Sequence, residues 1–389
     1  MRRFPFLLLL ISIASHGQIK LSEQATISVI TCGPGQRALY TAFGHSAFRV
    51  HDPAQGIDQV YNYGVFDFRR KNFYLNFARG HNYYRLASYS YPDFEYEYIY
   101  FNRFVHQQIL ALDQSQTQKF FDFLQWNAKP ENMTYLYDYF YDNCATRIRD
   151  VAEKVLGDSV KFDGAYIETD FTIRELTDLY LKYQPWGDLG IDICLGLPMD
   201  KKASPRDYMF LPDYVESGFA HAYIKKGDLW VPLVKQTVNV YESKNEKFTR
   251  GLFQPFYVFT LVFLLALFIS FRDFRRGKLT TAFDAAFFSI LGAVGLLLLL
   301  LWVATSHKAA ANNLNLLWAL PTHLIAVFAF IRQPRWLEKY FLVTAIICLV
   351  LLISWPLLPQ KMNLALVPIA MTGALRAITQ YSIRRKARL

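Results

Sequence analysis

Two kinds of hydrophobic pattern divide the chain. Up to about residue 250, polar positions interrupt the apolar ones at short intervals, and Tyr, Phe, Asp and Asn are frequent. Beyond that point, Leu, Ile, Val, Phe and Ala run on for about 20 residues at a time. A run of that length crosses a hydrocarbon core of about 30 Å as a helix, since backbone polar groups in lipid have to be satisfied within the segment. Five such runs, at 252–271, 282–304, 314–331, 338–357 and 362–380, predict an all-α transmembrane domain of five helices over 251–389. In the first part, period-2 alternation predicts strands at 25–31, 44–51, 59–65, 83–91 and 94–101. A helix is expected at 68–79. Another is expected at 115–127, where Phe120, Phe121 and Leu124 recur at helical spacing, and a third from Cys144 to about Leu156. That mixture is an α+β pattern for a domain over 18–250.

The termini and the charges orient these parts. Met1-Arg2-Arg3 is a basic start, 4–13 is a short apolar run, and Ser15 and Gly17 are small residues at −3 and −1. The pattern predicts a secretory signal peptide over 1–17 with a mature start at Gln18. An uncleaved anchor is the other reading of the same run. There is no Cys at the cut, which argues against a lipoprotein. The formal net charge is +10, but much of the excess flanks the apolar runs: Arg272, Arg275, Arg276 and Lys278; Arg332 and Arg335; Arg384, Arg385, Lys386 and Arg388. The two intervening loops carry one Lys each, Lys308 and Lys361. Cations distributed in this way set topology. They predict a multi-pass protein of the cytoplasmic (inner) membrane, with 18–250 periplasmic and the C-terminal tail cytoplasmic. The lipid bilayer is then a partner. Nucleic acid is not, because the soluble part shows no basic stripe or nucleic-acid motif. Near the third run, the polar residues His307, Asn312, Asn313, Asn315 and His323 read as caps and interhelical glue. Intramembrane polar groups also mark function.

Candidate chemistry centres on Cys144. Asp142 and Asn143 are N-cap types, and Ile148, Val151 and Val155 make one apolar face that Cys144 shares at the first turn. A thiol there feels the helix dipole and free amide donors, which favour thiolate. The same amides would hold an oxyanion during acyl transfer. A small buried core Cys is the competing reading. His45 is the natural base: it opens a strand after Gly44, and the next strand offers Asn62 or Tyr63 to orient the imidazole. Cys32 and Cys194 are both exported, so a disulfide is permitted. Cys348 falls inside the fourth run, where a thiol is packing. No zinc spacing or cofactor motif occurs. Glu95 and Glu97 alternate with Phe94, Tyr96 and Tyr98 and read as a solvated strand face rather than a glycosidase pair.

Several motifs carry a resemblance. Thr31-Cys32-Gly33-Pro34-Gly35 with Phe43-Gly44-His45-Ser46-Ala47, Tyr61-Asn62-Tyr63-Gly64-Val65-Phe66-Asp67-Phe68, and Asp142-Asn143-Cys144-Ala145-Thr146-Arg147 resemble the bacterial Lnb N-terminal periplasmic domain family. Trp186-Gly187-Asp188-Leu189-Gly190-Ile191-Asp192 and Met209-Phe210-Leu211-Pro212 are similar to it as well. The five-run end, including Asn313-Leu314-Asn315-Leu316-Leu317-Trp318, resembles the transmembrane domain that accompanies it. The resemblance implies location and architecture. The order of a strand His, a polar residue on the next strand and Asn-Cys opening a helix is also similar to circularly permuted papain-like hydrolases, including the lecithin:retinol acyltransferase group. That similarity implies a permuted papain-like domain with Cys144 as nucleophile, His45 as base and Asn62 as orienter. The acyltransferase group usually has a second His at the third position, and this chain does not.

Two functions follow as expectations. One is a membrane-anchored thiol hydrolase or acyltransferase acting on amide or ester bonds of envelope peptides, glycopeptides or lipids. The other is a non-catalytic envelope module for assembly, chaperoning or sensing.

Overall fold

A computed structural model describes residues 19–388. The expected signal segment 1–17, its cut and Gln18 lie outside the described residues. The chain then runs β1 (Thr26–Cys32), β2 (His45–Asp52), β3 (Ile57–Val65), α1 (Phe73–Arg79), β4 (Asn82–Ser90), α2 (Tyr91–Tyr100), β5 (Val105–Leu110), α3 (Gln114–Asn127), β6 (Thr134–Tyr137) and α4 (Cys144–Leu156). It continues through β7 (Val160–Phe162), α5 (Ile173–Tyr180), α6 (Pro185–Cys194), α7 (Pro205–Tyr208), α8 (Pro212–Ala220), β8 (Ala222–Lys226), β9 (Leu229–Pro232) and β10 (Val234–Tyr241). Seven strands form one antiparallel sheet in the order β10-β5-β1-β2-β3-β4-β6, and β7-β8-β9 form a small second sheet.

Alternation along the strands serves two faces. Phe48, Val50, Tyr61 and Leu86 point into a core closed by Phe120, Phe121 and Leu124 of α3 and Ile148, Val151 and Val155 of α4. Ile30, Cys32, Ala47, Val60 and Val105 point the other way, under Tyr91, Phe94 and Tyr98 of α2. The strand expected at 94–101 is therefore a helix. Pro92 in its first turn and Asp93 beside it are helix-start residues. Its buried set Tyr91, Phe94 and Tyr98 has helical spacing, and the Glu/Tyr alternation masked it. Glu97 is exposed and Glu95 partly so, on a helix instead of a strand.

The last third holds α9 (Pro255–Arg276), α10 (Thr281–Val303), α11 (His323–Phe328), α12 (Trp336–Ser354) and α13 (Val367–Lys386). Among the described residues, α9, α10 and α12 are long and apolar enough to cross a membrane. The run at 314–331 is not one helix. It is a tight turn, Leu314–Leu317, followed by the six residues of α11, which rise only about 9 Å. Asn313 caps that turn through Asn315 N–H, and Pro321 lacks the amide a continuous helix would need. In α13, Arg376 does not reach for the surface. It is fully buried and holds Asp284 at 2.6 Å, Asp273 at 2.8 Å and Ser270 at 2.9 Å.

Polar groups join the two halves. Asn313 Nδ2 donates to the Ile193 carbonyl at 2.7 Å, Asn315 Nδ2 to the same carbonyl at 3.2 Å, and Gln360 Nε2 to the Leu195 carbonyl at 3.1 Å. Gly196 N–H donates to the Ala309 carbonyl at 2.8 Å. A Cβ on Gly196 would stand 1.9 Å from the Ala311 oxygen, so only glycine permits this approach. The asparagines expected to glue membrane helices thus bind the last turn of α6, next to the loop that follows it. Arg174 of α5, fully buried, braces that loop through Asp192, Asp200 and the Leu195 carbonyl.

Candidate functional site

His45, Asn62 and Cys144 come from three elements and meet at one end of the sheet. His45 is the first residue of β2, and Asn62 lies near the end of the neighbouring antiparallel strand β3. Cys144 is the first residue of α4, which packs across β2 and β3. The β3–β4 register slips between Asn62 and Val65. Gly64 sits in that irregularity with φ of +84°, a conformation that favours glycine, and a Cβ there would lie 3.4 Å from Cys144 Cβ. The bulge therefore makes room for the thiol at the point where Asn62 faces the ring.

The hydrogen bonds fix the roles of the imidazole nitrogens. His45 Nε2 lies 2.5 Å from Asn62 Oδ1 and donates to it. Asn62 Nδ2 in turn donates to Tyr89 Oη at 2.7 Å. That chain leaves Nδ1 for Cys144, whose thiol is hydrogen-bonded to the ring. Tyr63, the other expected orienter, points away and donates to Asn127 at 2.6 Å. It belongs to the core on the opposite face, as alternation requires.

Electrostatics couples the pair. Burial pushes the Cys144 thiol up, but the adjoining imidazole and the N–H of Ser46 outweigh it and hold the thiol below its ordinary value. Burial pushes His45 down, and the neighbouring thiolate more than reverses this. Each charged form thus stabilises the other. Cys144 is only partly buried.

The amides of the first turn of α4 differ from expectation. Asn143 Oδ1 accepts from Ala145 N and Thr146 N, each at 2.9 Å, so the cap engages both, and the Ala145 N–H also helps to hold the Cys144 thiol low. Another donor stands nearby. The Tyr135 hydroxyl is buried with no hydrogen-bond partner among the described residues, 3.9 Å from where a Gly64 Cβ would be, and burial keeps it protonated. Arg147 lies 4.1 Å from the centroid of its ring and pairs with Asp142. Sequence reasoning missed Tyr135. Its only signal was the aromatic run leading up to Cys144. A cavity of about 220 Å³ on the far side shares Tyr135, Tyr63 and Arg147 as lining but includes neither Cys144 nor His45.

The comparisons with known proteins bear on both halves. A family model described as the Lnb N-terminal periplasmic domain matches residues 18–178. A second, the Lnb transmembrane domain, matches residues 245–388. The chain belongs to the Lnb family. It is a membrane protein with a periplasmic N-terminal domain, and Cys144, His45 and Asn62 all fall in the matched part of that Lnb domain. No curated protein and no solved structure matches the chain.

The other chemistry-bearing residues lie apart. All four cysteines are free, so Cys32 and Cys194 are not bridged. Cys32 is buried at the end of β1, whereas Cys194 closes α6 at the junction with the membrane domain. At that junction the carboxylates of Asp178, Asp188 and Asp192 approach one another within 4.8 Å. Lys361 and Asn363, from the loop before α13, bond to them.

Proposed function

We infer that the periplasmic domain is a thiol acyl-transfer enzyme with Cys144 as nucleophile, His45 as base and Asn62 as orienter. Its substrates are amide or ester bonds of the cell envelope, in peptides, glycopeptides or lipids. The observation that carries this reading is the single chain of contacts from Cys144 through His45 to Asn62. A core cysteine has no need of a half-buried imidazole oriented by a second side chain, whereas a nucleophile does. The strand-His, strand-Asn, helix-Cys order supports a permuted papain-like arrangement. The basic loops support a multi-pass topology with a cytoplasmic tail, and 18–250 forms the exported unit.

The steps follow from the contacts. His45 Nδ1 takes the thiol proton, and the thiolate attacks the substrate carbonyl to form a C–S bond. The developing oxyanion is met by the Tyr135 hydroxyl. His45 then returns the proton to the leaving amine or alcohol as the C–N or C–O bond breaks. Water, or an acceptor amine or hydroxyl, resolves the thioester with His45 again as base.

The test is a thiol-directed electrophile applied to the full chain in membranes. Cys144 should label well at pH 6, and His45→Ala should suppress that labelling. Slow labelling of Cys144, unchanged by His45→Ala, would decide for a non-catalytic binding module.

A further inference from the structure

The segment from Phe68 to Arg79 presents an unusual surface. Phe68 is 56% exposed, Tyr74 73%, Leu75 54% and Phe77 43%, all within one short stretch around α1. Cations accompany them: Arg69, Arg70, Lys71 and Arg79 are exposed. Arg69 pairs with Asp67 at 3.1 Å, and Arg70 lies over the Tyr83 ring. Large apolar groups exposed together beside cations are costly in water and typical of segments that rest in a lipid headgroup zone.

The depth of this segment is fixed by contacts already made. Arg79 O accepts from Ser306 N at 2.9 Å, and the His307 ring nitrogen Nε2 lies 3.0 Å from the Phe77 carbonyl. A Cβ on Gly80 would lie 3.1 Å from His307 N. Ser306 is three residues beyond Val303, where the long apolar helix α10 ends. The arm is thus tied to the end of a membrane helix that faces the periplasmic domain. Its rings also meet edge to face, Phe68 with Phe66 at 4.8 Å and Phe68 with Phe73 at 5.1 Å, so one side is packed and the other is bare.

We propose that α1 and the residues before it form an interfacial arm lying in the headgroup region of the outer leaflet, with Tyr74, Leu75 and Phe68 toward the acyl chains and Arg69, Arg70 and Lys71 among the phosphates. The occupant of this face is the bilayer in which the chain itself is embedded. The assignment rests on exposure and tethering and is independent of the chemistry at Cys144.

The experiment places a photo-crosslinking p-benzoylphenylalanine at position 75 or 74 of the full chain in phospholipid membranes. Position 54 is the control. Ala54 is exposed in the turn between β2 and β3, about 30 Å of strand from Val65. Irradiation should add the mass of one phospholipid at 74 and 75 and not at 54. Position 68 serves if a variant at 75 fails to elute as the wild type does. Crosslinking to another polypeptide, no adduct at any arm position, or equal lipid adducts at 54 would each overturn the proposal.

Discussion

At the scale of single residues, the site turns on how three side chains share two protons. With the thiol held low and the imidazole held high, each charged form supports the other, and the thiolate persists to lower pH than in a free cysteine. Electrophile labelling of Cys144 should therefore persist well below the free-thiol value of about 8.5, and activity should fall at high pH as His45 loses its proton. Labelling rates across pH 5–9 check this, and a profile that rises only near 8.5 would contradict it. Tyr135→Phe removes a hydroxyl without changing the ring. Because that hydroxyl has no partner, stability should hold while kcat drops about 10²-fold, the usual loss for one oxyanion donor. Equal kcat in the two proteins would remove Tyr135 from the mechanism. His45 and Cys144 were legible in the sequence because strand alternation and helix capping are local rules. Asn62 could be separated from Tyr63 only by knowing which sheet face carries α2. Tyr135 was not legible, since its value lies in having no partner, and sequence does not record partners.

At the scale of elements, local rules succeeded where one face of an element alone is buried and failed where a second signal overlay the first. The helix α4 shows its apolar face plainly. In α2 the acidic and aromatic residues alternate, and the helical set beneath appears only once the sheet supplies its partner residues Ile30, Val60 and Val105. The segment 314–331 failed for another reason. Its apolar content meets a membrane helix's requirement, but its asparagines are committed to main-chain acceptors in another domain. Asn313→Ala should leave the Ile193 carbonyl with Asn315 as its remaining side-chain donor, at about 0.5–1.5 kcal/mol for the hydrogen bond lost. A larger group at Gly196, such as Gly196→Val, should act more strongly, because it forces the junction apart. Limited proteolysis between residues 180 and 250 in nanodiscs would report loosening, and wild-type resistance in both variants would refute the docking role.

At the scale of the whole molecule, the two halves meet across a cluster of acids, and their titration gives stability a pH dependence. Burial and neighbouring carboxylates push Asp178 up to about 7, with Lys361 opposing, and Asp188 up to about 6. An unfolded carboxyl titrates near 3.9. The folded state therefore binds these protons more tightly, so their contribution favours folding as pH falls from about 7 toward 4 and opposes it above. Asp188→Asn should raise thermal stability at pH 7.5 and flatten the curve between pH 5 and 8, as followed by melting in nanodiscs. A less stable variant at pH 7.5 would show that the charge itself is required. Topology is tested at the same scale. Reporters fused at Lys244 and after Leu389 should read periplasm and cytoplasm respectively, and the same side for both would exclude an odd number of crossings.

The bonds that Asn313, Asn315 and Gln360 make to α6 and its following loop end on carbonyl oxygens, which every residue carries. Through these three residues the membrane half reads the path of the periplasmic half's backbone, while Lys361 and Asn363 read the acids Asp178, Asp188 and Asp192. Domains exchanged between two relatives should accordingly assemble despite divergent surfaces, provided the receiving membrane half keeps its amides and the incoming domain keeps those acids and a glycine at the tightest crossing. Compatibility in such hybrids would hinge on a few positions and leave the rest of the boundary free to drift.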